Sequence, residues 1–125
     1  MAHVLIVEDE QALASAYTAI LQKNGFIVRA ASNGEEALEA VTAQVPDVIL
    51  LDMLMPKMNG IEFLRSVQDV LNSASKKAPA VVIFSNMDTQ SDIDEAYKLG
   101  AKRYILKSWA SPQDLVRVVN EALEA

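Results

Sequence analysis

With 125 residues, 51% hydrophobic and 22% charged, the chain is long enough for one domain with a real core and has the composition of an ordinary globular protein. A formal charge of −6 argues against contact with a nucleic-acid backbone, and the absence of cysteine excludes disulfides, thiolate zinc sites and thiol nucleophiles. Apolar runs such as Ala80 to Phe84 are too short to span a bilayer, and the N-terminus lacks the regions of a signal peptide, so a cytoplasmic chain free of membrane contact is expected.

Val4-Leu5-Ile6-Val7 is an apolar run rich in β-branched residues and reads as a buried strand, ending in Glu8-Asp9-Glu10. Glu10 suits a charged helix start, whereas Glu8 and Asp9 sit at the strand's C-terminal end. Leu13, Ala16, Tyr17, Ile20 and Leu21 follow amphipathic-helix spacing until Asn24-Gly25 stops it. Phe26 to Ala31 alternates more weakly and carries Arg29, as an edge strand does. Asn33-Gly34-Glu35-Glu36 opens a second helix with Ala37, Leu38, Val41 and Val45 inward, closed by Pro46.

Val48-Ile49-Leu50-Leu51 is apolar without alternation, the mark of a strand buried on both faces, and it runs into Asp52 and a loop containing Pro56. Asn59-Gly60 starts a third helix whose inward stripe is Ile61, Leu64, Val67, Gln68 and Leu71. The polar stretch 72–77 is a surface loop. Ala80-Val81-Val82-Ile83-Phe84 is a fourth strand ending in Ser85-Asn86, followed by a helix from about Thr89 to Leu99. Arg103 to Leu106 is a fifth strand ending in Lys107. Ser111-Pro112-Gln113-Asp114 carries the cap, proline and acid of a helix start, with Leu115, Val118, Val119, Ala122 and Leu123 buried.

Five strands alternating with five helices predict an α/β fold, a parallel sheet covered on both faces. The three most continuous strands belong at the centre, which fits a flavodoxin-like (βα)5 order of 2-1-3-4-5 better than 3-2-1-4-5. In that order Glu8, Asp9, Asp52, Ser85 and Lys107 share one rim. Crowded carboxylates without histidine suit Mg2+ rather than zinc. Lys107 and the Ser85 hydroxyl face them across a gap for a tetrahedral anion, which points to phosphoryl chemistry with Asp52 as nucleophile.

From Val4 to about Leu123 the chain resembles a response-regulator receiver domain of two-component signalling, of the chemotaxis-regulator kind. The acidic pair is Glu8-Asp9, the acceptor motif Leu51-Asp52 with Met55-Pro56-Lys57-Met58-Asn59-Gly60, the switch hydroxyl Ser85, the switch aromatic Tyr104 and the lysine Lys107. The resemblance implies that Asp52 takes a phosphoryl group from a histidine kinase or histidine phosphotransfer protein. It implies Mg2+ held by Asp9, Asp52 and the Leu54 carbonyl, with Glu8 acting through water. Lys107 and Ser85 would bind the phosphoryl group, and Tyr104 would rotate inward as Ser85 moves. A downstream protein would read the face of the fourth helix, fifth strand and fifth helix, from a monomer or a phosphorylation-dependent dimer. Residues 1–125 would form the receiver, with no output domain in this chain.

The chain departs from the family pattern at Ser108, where proline is usual, and at Asn86, Leu54 and Met87 near the acceptor. Without proline the Lys107–Ser108 bond is expected trans, since a cis bond there costs about 2.5–4 kcal/mol. Leu54 and Met87 offer no group to orient a hydrolytic water, and Asn86 adds bulk, so a long-lived phosphorylated state is expected. A signalling switch with slow self-hydrolysis is favoured over two rivals. An aspartyl phosphohydrolase usually has a second aspartate where Leu54 stands. A flavin or nucleotide binder needs a Gly-rich loop where Glu8-Asp9-Glu10 would repel phosphates. His3 is structural, Met53, Met55 and Met58 are packing, and Trp109 is either packing or a partner contact.

Overall fold

The computed structural model describes residues 2–53, 59–74, 78–85, 90–108 and 110–124. The expected positions Leu54, Met55, Met58, Asn86, Met87 and Trp109 lie outside the described residues. The elements are β1 (His3–Val7), α1 (Gln11–Lys23), β2 (Ile27–Ala31), α2 (Gly34–Ala43), β3 (Val48–Leu51), α3 (Gly60–Ala74), β4 (Ala80–Ser85), α4 (Gln90–Lys98), β5 (Ala101–Leu106) and α5 (Pro112–Glu124). All strand pairs are parallel, in the order β2-β1-β3-β4-β5, as the strand hydrophobicity predicts.

The strands read as continuous apolar runs because alternate residues serve two different cores. Leu5, Val7, Ile49, Leu51, Val81 and Ile83 face α2, α3 and α4, together with Ala37, Val41, Phe63, Leu64, Val67 and Leu71. Val4, Ile6, Val48, Leu50, Val82 and Phe84 face α1 and α5, packed on Leu21, Leu115, Val118, Val119 and Ala122. No helix among the described residues is long and apolar enough to cross a membrane.

Local chemistry fixes the helix starts. Asn33 Oδ1 accepts from Glu36 N at 2.9 Å, Asn59 Oδ1 from Glu62 N at 3.0 Å, and Ser111 Oγ from Asp114 N at 3.1 Å. In the last two the acid answers by accepting from the cap's own amide, which satisfies two orphan donors at once. Arg29 explains its place on an edge strand. Its guanidinium donates to the carbonyls of Ala40 at 2.9 Å and Gln44 at 2.6 Å, closing the C-terminal end of α2.

Four side-chain expectations are corrected. Phe63, absent from the predicted α3 stripe, is fully buried, whereas Gln68 is exposed. Ala16 is exposed and Leu123 is 37% exposed, because each lies at the margin of its helix's apolar stripe. There is no cis peptide bond among the described residues, so the Lys107–Ser108 bond is trans.

Candidate functional site

Four strands deliver the site at the carboxyl edge of the sheet. The parallel ladder continues one residue past β1, β3 and β5: Glu8 N donates to Ala31 O, Asp52 N to Val7 O and Lys107 N to Ser85 O, each at 3.0 Å. The backbones of Glu8, Asp52 and Lys107 are thus held by the neighbouring strands. Glu8 is 3% exposed, Asp52 6% and Ser85 fully buried, while Asp9 is exposed at the mouth.

The two oxygens of Asp52 have different partners. Ser85 Oγ donates to Oδ1 at 3.2 Å, and Lys107 Nζ donates to Oδ2 at 3.2 Å. Lys107 also donates to Glu8 Oε1, while Glu8 Oε2 accepts from the backbone amide of Glu10 at 3.2 Å. The sequence pattern placed Lys107 across a gap from the acids. In the structure it sits directly on two of them. The Glu10 amide was not legible, since a backbone group carries no residue signature.

Burial pushes the Glu8 carboxyl up to about 7, with Lys107 and the Glu10 amide pulling the other way. For Lys107, burial favours the neutral amine, but Glu8 and Asp52 outweigh it and hold the ammonium above its ordinary range. Lys107 is therefore the fixed positive charge of the site. Carboxylate oxygens of Glu8, Asp9 and Asp52 lie within 4.8 Å of one another. Three hard oxygen donors, one of them buried at an electrostatic cost that Lys107 offsets incompletely, fit a divalent cation such as Mg2+.

Tyr104 is half-buried on β5, opposite Ile83 of β4, and packs against the α2–α3–α4 core. Tyr17, read from the sequence as core alone, sets its ring edge-to-face on Phe84 at 5.0 Å, one residue before Ser85.

A doubly wound parallel sheet with three acids, a hydroxyl and a lysine at its carboxyl edge defines a flavodoxin-like protein with an acidic rim site. Comparison with known proteins resolves the class further. Residues 4–120 match the family described as the response regulator receiver domain. The chain is 33% identical to the chemotaxis protein CheY of Bacillus subtilis over 125 residues, covering 98% of this chain and 99% of that protein. It is 34% identical over 120 residues to the DNA-binding response regulator MtrA of Mycobacterium tuberculosis, covering 96% of this chain and 50% of MtrA. It thus spans about half the length of the DNA-binding regulators it matches. The crystallised Vibrio cholerae chemotaxis protein CheY4 superimposes with a TM-score of 0.86 at 27% identity, covering 98% of each chain. The chain belongs to the receiver domains of two-component response regulators, which are signalling switches of phosphorelays.

Proposed function

We propose that Asp52 accepts a phosphoryl group from a histidine kinase or histidine phosphotransfer protein, in a Mg2+-dependent reaction, and that the modified chain switches conformation to control a partner protein. The observation that carries this reading is the nearly buried Asp52, held at one oxygen by Ser85 and at the other by Lys107, beside two further acids.

A carboxylate oxygen of Asp52 attacks the phosphorus, the bond from phosphorus to the donor nitrogen breaks, and its electron pair leaves with the histidine ring. Lys107 moves from Asp52 Oδ2 to an oxygen of the transferred group and balances its charge. The Ser85 hydroxyl turns from Oδ1 to another phosphoryl oxygen. Asp9, Asp52 and the Leu54 carbonyl would hold Mg2+, with Glu8 acting through water, a role that suits its two oxygens already engaged by Lys107 and the Glu10 amide. When bound, the cation supplies positive charge against the phosphoryl oxygens.

The added charge, about −1.5 to −2 by analogy with other phospho-residues, biases a two-state arrangement, with Tyr104 turning inward as Ser85 moves. The readout face is then α4, β5 and α5. A groove of about 390 Å3 lined by Tyr104, Ile105, Leu106, Ala110, Asp114 and Arg117 lies on it and supports this assignment. The chain acts in the cytoplasm as a switch that self-phosphorylates from small donors and hydrolyses slowly, rather than as an enzyme that turns over substrate.

The test is incubation with acetyl phosphate and Mg2+, followed by intact-mass measurement. One hydroxylamine-labile phosphoryl group is expected on the wild-type chain and none on Asp52→Asn. Label retained by Asp52→Asn would overturn the site, and no label on the wild type would overturn the function.

A further inference from the structure

Among the helices whose core contacts are described, α4 has the smallest share of the core. It buries Ala96 alone, and Tyr97 is 46% exposed, whereas its neighbour α3 buries Phe63, Leu64, Val67 and Leu71. A helix with so little buried apolar surface depends on other contacts for its position. Two come from one face of α3. The Arg65 guanidinium donates to the Glu95 carboxylate, and the Gln68 side-chain amide donates to the Leu99 carbonyl. Arg65 and Gln68 stand three apart on α3, and Glu95, in the C-terminal half of α4, and Leu99, the residue just past its end, stand four apart, so the two contacts run side by side. Gln68 falls at an apolar-stripe spacing in the sequence, and this contact is what the polar side chain does there.

We propose that Arg65 and Gln68 form a polar latch that holds α4 against α3 in the resting arrangement and so opposes the phosphorylation switch. The far end of α4 begins at Gln90, five residues beyond Ser85, whose hydroxyl is bonded to the acceptor. A rearrangement at Ser85 reaches α4 at its N-terminal end, while the latch grips its C-terminal end. Whatever stabilises the resting state must weaken binding of any ligand that favours the switched one, by the same factor. The Arg65 and Glu95 side chains are 59% and 37% exposed, so the ion pair is a weak, tunable hold rather than a structural necessity.

This inference rests on the proposed phosphoacceptor function, and two measurements separate them. The first is amide hydrogen exchange of the unliganded chain, which involves no phosphoryl chemistry. Arg65→Ala and Gln68→Ala should each speed exchange in residues 91–99 by about two- to five-fold, the size of an exposed polar contact, and leave α2 and α5 unchanged. The second is a fluorine-NMR titration with beryllofluoride, a phosphoryl mimic, in excess Mg2+. Each variant should bind about two- to five-fold tighter than wild type. At about 1 M salt, where the Debye length falls to about 3 Å, the Arg65→Ala effect should fade and the Gln68→Ala effect persist. Arg65→Glu combined with Glu95→Arg should return both readouts toward wild type. Unchanged α4 exchange in both single variants, or unchanged or weaker beryllofluoride binding, would overturn the latch. A wild-type chain that binds no beryllofluoride would count against the phosphoacceptor assignment, and the exchange measurement would still decide the latch.

Discussion

Gly60→Ala sets two effects of opposite sign against each other at the edge of the acceptor site. Gly60 opens α3, where alanine is the better helix former by up to about 1 kcal/mol and also restricts the unfolded chain. Against this, a Cβ at residue 60 would lie 2.7 Å from Met53 Sδ, 2.9 Å from Met53 Cα and 3.3 Å from the Asp52 carbonyl oxygen. The sulfur can swing away at small cost. The Cα cannot, and ordinary carbon contacts begin near about 3.5 Å, so the backbone must yield by roughly 0.6 Å. Gly60 N also donates to Met53 O at 3.1 Å, which ties α3 to this residue and blocks the easiest relief.

Overpacking of this kind costs about 1–3 kcal/mol, so the clash wins and the net loss is about 1–2 kcal/mol. For a domain of this size, that corresponds to a melting point lower by about 4–8 °C. Because the displaced residue is bonded to Asp52, uptake of phosphoryl from acetyl phosphate should slow as well. Gly25→Ala is the control: nothing lies within 4 Å, but φ is +90°, so alanine is strained by about 1–2 kcal/mol far from the site. Both variants should melt lower by thermal circular dichroism, and only Gly60→Ala should label slowly. A Gly60→Ala chain as stable as wild type, or one that labels at the wild-type rate, would refute the steric argument.

Phe63→Ala should destabilise by about 3–5 kcal/mol in urea unfolding, since Phe63 on α3 is fully buried in the core that α2, α3 and α4 form with the sheet; a loss under about 1 kcal/mol would mean the core collapses around the gap. The Ser111 backbone amide, then Arg117 and the Ser111 hydroxyl, hold the Asp114 carboxyl below its ordinary 3.8. A depressed folded-state value means the stabilisation is present above the unfolded value and lost as pH falls through the folded one. Asp114→Asn should therefore destabilise at neutral pH, with the gap to wild type closing in acid; a gap independent of pH would refute the capping role. Leu54→Asn and Met87→Glu should each speed dephosphorylation in excess Mg2+ without abolishing uptake, and unchanged decay in both would mean that these side chains do not limit water access.

Much of this architecture is written in the chain, and the exceptions share a cause. Strands were legible because coverage on both faces demands apolar residues at every position, as in Val4 to Val7 and Val48 to Leu51. Helix starts were legible because caps are local, as at Asn33, Asn59 and Ser111. Stripes blur at their edges, which is where Ala16, Gln68 and Leu123 lie and why Phe63 was passed over. Contacts between distant segments left no local trace. The Arg29 bonds to α2 and the Gln68 bond to α4 depend on which elements the topology brings together.

The charge of the site links its parts on the proposed function. Glu8, Asp9 and Asp52 against Lys107 leave a formal excess of two negative charges, with Glu8 and Asp52 buried and Asp9 exposed. Without a cation, the chain's own means of relief is to protonate, and burial has already carried Glu8 up to about 7. Any added positive charge favours the ionised acids, and ionised acids hold Lys107 in place beside Asp52. A phosphoryl group on Asp52 then competes with Glu8 for the same ammonium. When Lys107 leaves Glu8 for the phosphoryl oxygens, Glu8 loses the contact that offsets its burial and becomes the group most in need of a cation. On that function phosphorylation and cation binding would be coupled in both directions, directly by the cation's charge against the phosphoryl oxygens and in part through Lys107, and Glu8→Gln, which needs no such partner, should remove the part that runs through the lysine. The measurement is the affinity for Mg2+ with and without beryllofluoride: the ratio should be large for wild type and shrink for Glu8→Gln, and an undiminished ratio would place the coupling elsewhere.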